Sequence, residues 1–223
     1  MVCTWEKMNI KTLFNKPQVV GLVGNQDEGK SNFIYYALEE LSKDFDFEVY
    51  TYGLRCNFPN TIQIYSVTEL EQIKDSIIIL DEISSLFNLT DRKVKSQIEK
   101  TIRLISHNNN ILLLSGLAEN YPKFLSAKLS VVILKKITLA DLINGSRVKN
   151  IVMNYNGNEK GSAVLELPVN QAIVYDGKHY TMMEIPYFPK YDTKVSNVQI
   201  CVPKNVQEKK SENIDYVELG GLE

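Results

Sequence analysis

Two short groups of residues carry functional groups at spacings that chemistry uses. Gly24, Gly29, Lys30 and Ser31 form the pattern Gly-x4-Gly-Lys-Ser. In such a loop, backbone N–H groups turn inward and carry partial positive charge, so they can cradle a polyphosphate. Glycines at the two ends permit backbone paths that a Cβ would obstruct. Lys30 then reaches the β- and γ-phosphates, and Ser31 offers its hydroxyl to Mg²⁺. The run expected to contact a nucleotide, ATP by this chemistry, is Gly24, Asn25, Gln26, Asp27, Glu28, Gly29, Lys30, Ser31 and Asn32. Asp27 and Glu28 are odd in an anion-binding loop and are expected to face solvent or a neighbouring subunit. About 50 residues further on, Asp81 and Glu82 end a run of aliphatics. An acid at that place orders Mg²⁺ through water, and a second acid beside it can polarise an attacking water.

These groups need elements that hold them together. Residues 19–23 are largely apolar and read as a buried strand that runs straight into Gly24. Ile34, Ala37, Leu38 and Leu41 follow at helical spacing. Strand, glycine-bounded loop, Lys-Ser and helix in that order is the context that turns the string into a phosphate-binding P-loop. Alternation predicts strands over 47–52 and 61–65, and Thr68 to Glu71 reads as a capping-box start of a short helix. The aliphatic run at 77–80 predicts a central strand delivering Asp81 at its carboxyl end. A helix over 90–107 follows, with Thr90 as N-cap and Val94, Ile98, Ile102 and Ile105 as its buried stripe. Further expected elements are strands over 111–115 and 130–134 and helices over 119–128 and 138–143. Beyond Val148, short strands are expected over 150–155, 162–167, 172–175 and 180–185, separated by Asn-Gly and Asp-Gly turns.

The fold class this implies is α/β, a three-layer αβα sandwich with a mostly parallel central sheet and a β-rich C-terminal extension. The chain divides into an ATPase core over 1–147, the extension over 148–203 and a polar, disordered tail over 204–223. At 223 residues it suits one sizeable domain with an appendage. No apolar run has membrane-spanning length and no leader is evident, so the cytoplasm, or a virion, is the expected location. Cys3, Cys56 and Cys201 are too dispersed for a metal site or disulfide framework. A formal net charge of −2 argues against a dedicated high-affinity nucleic-acid binder. It leaves room for a motor that grips DNA weakly and releases it each cycle.

Neighbouring P-loop families are set aside by residues. Asp81 is followed by Glu82, not by the spacing GTPases use, and no Asn-Lys-x-Asp base reader occurs. Leu114 to Leu117 lies on the wrong side of Asp81 for an ABC signature, and no arginine-rich kinase lid is found. The loop 24–31, the strand 77–82 and the block 101–115 together resemble the FtsK/HerA division of P-loop ATPases, including compact genome-packaging ATPases of viruses and phages. The resemblance covers residues 18–135. It implies a RecA/FtsK-like fold in which Glu82 activates water, Arg103 is a trans-acting arginine finger and Ser115 is a polar sensor of the γ-phosphate. Asn120 and Arg147 are the alternative sensor and finger.

Carried through, the resemblance implies a DNA-translocating ATPase acting as a homo-oligomeric ring, a pentamer or hexamer, with Mg·ATP between subunits. Its partners would be double-stranded DNA and a portal, capsid or channel protein. The alternative is a nucleotide-dependent switch or assembly ATPase of a conjugation or secretion apparatus that moves no DNA. A small-molecule kinase is a third possibility, distinguished by phosphoryl transfer to an acceptor.

Overall fold

The computed structural model describes residues 9–83, 92–118, 121, 123–138, 140–141, 150–152, 162–188 and 191. Among them the strands form a single eight-stranded sheet, ordered β3-β2-β4-β5-β1-β6-β7-β8. The strands are β1 (Gln18–Val23), β2 (Glu48–Tyr52), β3 (Thr61–Gln63), β4 (Ser76–Leu80), β5 (Ile111–Gly116), β6 (Val131–Leu134), β7 (Gln171–Tyr175) and β8 (Tyr180–Glu184). From β3 to β6 every pairing is parallel, whereas β6–β7 and β7–β8 are antiparallel. A short turn joins β7 to β8, whereas parallel strands need crossovers, as the helices Lys30–Ser42 and Arg92–Leu104 supply between β1 and β2 and between β4 and β5.

Strand residues alternate between two apolar cores, one on each face. Val20, Leu22, Ile77, Ile79, Leu113 and Ile133 pack with Phe33, Ile34, Ala37, Leu38 and Leu41 of α2 (Lys30–Ser42) and with Ile10 and Leu13 of α1 (Ile10–Leu13). Val19, Val23, Ile78, Leu80, Leu112 and Leu114 face the other way, toward Ile98 of α3 (Arg92–Leu104) and Leu125 of α4 (Lys123–Ser126). Helices on both faces of a mostly parallel sheet make the expected three-layer αβα arrangement. Both faces being covered explains why β1, β4, β5 and β6 read as continuous apolar runs.

Several local expectations are corrected. The capping box is Ser66 with Glu69, two residues earlier than Thr68 with Glu71, and the segment it starts is a 3-10 turn, Val67–Glu71. Residues 150–152 are helical, and 162–167 holds a helical turn, α5 (Ser162–Leu165), in place of two strands. Runs this short satisfy either period, and packing of Ile151, Val152 and Val164 into the core decided for helix. β7 and β8 extend the main sheet beyond β6. Thr90, Asn120, Arg147, the Asn156-Gly157 turn and the tail 204–223 lie outside the described residues. No helix among the described residues is long and apolar enough to cross a membrane.

Candidate functional site

The carboxyl ends of β1, β4 and β5 bring the two groups of functional residues together. β1 ends at Val23, and the loop turns over its tip into α2. Both bounding glycines are required, for different reasons. A Cβ on Gly24 would lie 2.5 Å from Cβ of Lys135, so the loop passes too close to β6 for any side chain. Gly29 has φ 78°, a left-handed conformation that other residues resist, and its Cβ would sit 3.1 Å from the Val169 carbonyl. Gly29 is also the N-cap of α2, so the first helical N–H groups open toward the loop.

Lys30 and Ser31 begin that helix. The Lys30 ammonium lies 2.7 Å from the Asn25 carbonyl and 3.2 Å from that of Gly24. Burial pushes it below the ordinary lysine value, against the opposing pull of Glu82, Asp81, Asp27 and Glu28. Asp81 continues the parallel ladder one residue past β4, its N–H donating to Tyr52 at 2.9 Å. By strand alternation from Ile79, its side chain points to the α2 face, and it is buried. Glu82 follows at φ 50°, a strained angle for a non-glycine residue, as such sites often store. Lys30, Ser31, Asp81 and Glu82 line one cleft of about 920 Å³, with Gln26, Asp27, Gly29 and Asn32 on the same wall.

The remaining expected residues fall elsewhere. Gly24, Asn25 and Glu28 shape the loop without lining the cleft. Asn25 donates its N–H to the Lys136 carbonyl at 2.9 Å. Of the two acids in the loop, Asp27 is exposed, whereas Glu28 is part-buried, with Lys136 3.8 Å from one oxygen and the other oxygen buried without a partner among the described residues. Ser115 lies one residue beyond the Leu80–Leu114 pairing, level with Asp81, and on the same face. It is wholly buried, and its hydroxyl has no partner among the described residues. Arg103 is exposed in the last turn of α3, close to the turn that enters the amino end of β5. The cleft lies at the opposite, carboxyl end of the sheet, so Arg103 does not join the site of its own chain.

Two participants were not anticipated. Lys135, at the end of β6, is fully buried, and its ammonium donates to the carbonyls of Val169 and Gln171, the latter at 2.6 Å. Burial lowers its pKa to about 8. It ties β6 and the approach to β7 beneath the phosphate loop. The second is the segment after β8. Asn32 has both ends of its amide engaged there, donating to the Pro186 carbonyl and accepting from the Phe188 N–H, each at 2.7 Å. Val169, Asn170, Ile185, Tyr187 and Phe188 thereby form the other, largely apolar wall of the cleft.

Hard oxygen donors suit Mg²⁺, which binds through one or two protein groups while substrate phosphates and water complete its shell. Ser31 and Asp81 fit that description, since both reach the cleft from adjacent elements.

Neither a protein-family model nor a curated protein matches the sequence. Solved structures do match in fold. The genome packaging NTPase B204 from Sulfolobus turreted icosahedral virus 2, in complex with sulfate, superposes with TM-score 0.58 at 15% identity, covering 77% of this chain and 98% of that one. The same NTPase with ATPγS gives 0.57 at 15% identity, covering 81% and 100%. The pCW3 conjugation coupling protein TcpA, in monomer form with ATPγS, gives 0.54 at 16% identity, covering 88% and 66%. The fold is therefore that of a P-loop NTPase, and these neighbours fit the class that the sequence resembles.

Proposed function

We propose that the chain is a Mg²⁺-dependent ATPase that works as a motor subunit on double-stranded DNA, in the manner of genome packaging. The observation that carries the ATPase reading is one cleft lined by Lys30, Ser31, Asp81 and Glu82 at the carboxyl edge of a parallel sheet. In this reading the loop N–H groups and Lys30 bind the phosphates, and Ser31 and Asp81 hold the metal. A bound Mg²⁺ would neutralise charge on the phosphate oxygens. Glu82 orients and deprotonates the attacking water. Ser115, buried level with Asp81 and outside the residues that line the cleft, takes the sensor role from the resemblance alone.

Arg103 is exposed and remote from its own cleft, so its proposed role is in trans, completing the site of a neighbour in a five- or six-membered ring. The likeness to a DNA-packaging ATPase supports DNA as the cargo; a portal, capsid or channel protein is the mounting this reading expects. ATPase assays on the assembled protein with and without duplex DNA test this. We expect hydrolysis that rises with DNA; hydrolysis indifferent to DNA in a ring-forming preparation would remove the motor reading.

A second reading keeps the ATPase and drops the cargo: an assembly or coupling ATPase of a conjugation or secretion apparatus. The likeness to a conjugation coupling protein and the net charge of −2 favour it. It predicts hydrolysis stimulated by a protein partner and not by DNA.

A further inference from the structure

Phosphate chemistry uses one wall of the cleft and leaves the other unexplained. That second wall presents a large aromatic, Tyr187, which is 74% exposed although it lines the cleft with Lys30 and Ser31. Exposed aromatics on mobile segments need no explanation, but this one is held on both sides. Asn32 grips the backbone of Pro186 and Phe188, the residues flanking it. The Phe188 ring packs 5.8 Å from that of Tyr36 on α2. Further along, Tyr191 lies 5.1 Å from Phe58 and 6.4 Å from Tyr35. Asn32 directly follows Ser31, so a single side chain fixes the distance between the turn that would bind phosphates and the ring beside it.

We infer that Tyr187 is the platform on which the base of the bound nucleotide stacks, and that Asn32 is the positioning residue that holds it there. The inference rests on the nucleotide-binding reading proposed above. A nucleotide has a charged end and an apolar, flat end, and the cleft has walls of those two kinds. Stacking on a tyrosine face is tolerant of base identity but rewards ring area, so purines gain more than pyrimidines. Pre-fixing the ring reduces the ordering cost that binding must meet.

The test compares ATP with inorganic tripolyphosphate, which keeps the phosphates and lacks the base, by calorimetry on the full chain. Tyr187→Ala should weaken ATP binding roughly tenfold and leave tripolyphosphate unchanged. Tyr187→Phe should bind ATP like the parent, because the ring face and not the hydroxyl is used. Asn32→Ala should copy the ATP defect of Tyr187→Ala and spare tripolyphosphate. Unchanged ATP affinity in Tyr187→Ala overturns the proposal. So does equal loss for both ligands, which would make the segment a support for the phosphate loop. If the parent binds neither ligand, the nucleotide reading itself has failed, and the stacking role fails with it. If it binds both and only the variants disagree with expectation, the stacking role alone is lost.

Discussion

The two long helices flank the same sheet and differ in what they leave free. α2 buries Lys30, Phe33, Ile34, Tyr35, Ala37, Leu38 and Leu41, seven of its thirteen residues. α1 lies against it, and Phe188 and Tyr191 pack over its aromatic side. α3 buries Ile98 and Thr101 and presents Arg92, Lys93, Ser96, Lys100 and Arg103 to solvent. Part of that basic face is used internally: Lys100 pairs with Glu71, and Lys95 lies over the Phe124 ring. The difference teaches where each contribution must come from. α2 contributes Lys30 and Ser31 to a cleft lined by residues of the same chain, so their surroundings can be read from this structure. α3 offers charge outward, and Arg103 acquires a role only against something else.

Substitutions at the two helices should therefore separate cleanly. The largest effect is expected from Arg103→Ala in the assembled protein. A trans-acting arginine in related phosphoryl transfer is worth roughly 10³–10⁵ in rate, so hydrolysis should nearly vanish while the ATP dissociation constant stays put. Matched loss of rate and binding would place Arg103 outside the finger role and undo the contrast between the helices. On the α2 side, Glu82→Gln should slow hydrolysis by roughly 10²–10⁴ while retaining bound ATP, since it removes the base and keeps the shape. Measured in single turnover, a normal rate would show that another group activates the water. Mixing the two variants sharpens the point. If each defect lies in a different subunit's contribution, mixed rings recover some intact interfaces and some activity.

Much of the α2 side was legible because phosphate binding dictates residue types. Gly24, Gly29, Lys30 and Ser31 have few substitutes for their jobs, and Asp81 with Glu82 is recognisable once a P-loop precedes it. The parallel sheet was legible too, since strands buried on both faces read as apolar runs. Long-range polar contacts were not. Lys135 looks like the residue that stops the strand at 131–134, yet its partners are carbonyls 34 and 36 positions further on. Nothing in local sequence marks a lysine that will be buried on such partners. Asn32 lines the cleft beside Ser31, and its amide is committed to residues more than 150 positions away. The turn at 162–165 failed for the opposite reason, because four residues carry too little periodicity to choose between helix and strand.

A smaller effect tests whether the α2 side is as self-contained as the contrast requires. Lys135 has no solvent exposure, and its pKa of about 8 lies below the ordinary 10.5. In the unfolded chain the amine regains the ordinary value, so between pH 8 and 10.5 the unfolded state binds a proton that the folded state has released. Stability then rises with pH across that window, because the cost of burying the charge is relieved once the amine is neutral. The neutral amine keeps two N–H groups, enough for Val169 and Gln171. Lys135→Met preserves much of the bulk against Gly24 and removes the titration. Urea unfolding of both proteins at several pH values should show parent stability climbing relative to the variant by roughly 2–3 kcal/mol between pH 8 and 10.5. Below pH 8 the two curves should run parallel, and taking the difference cancels every other titrating group. A flat difference would mean that the ammonium is solvated through the cleft. The charged ammonium would then hold the Val169 and Gln171 carbonyls across the whole pH range, and the tie beneath the loop would not depend on pH.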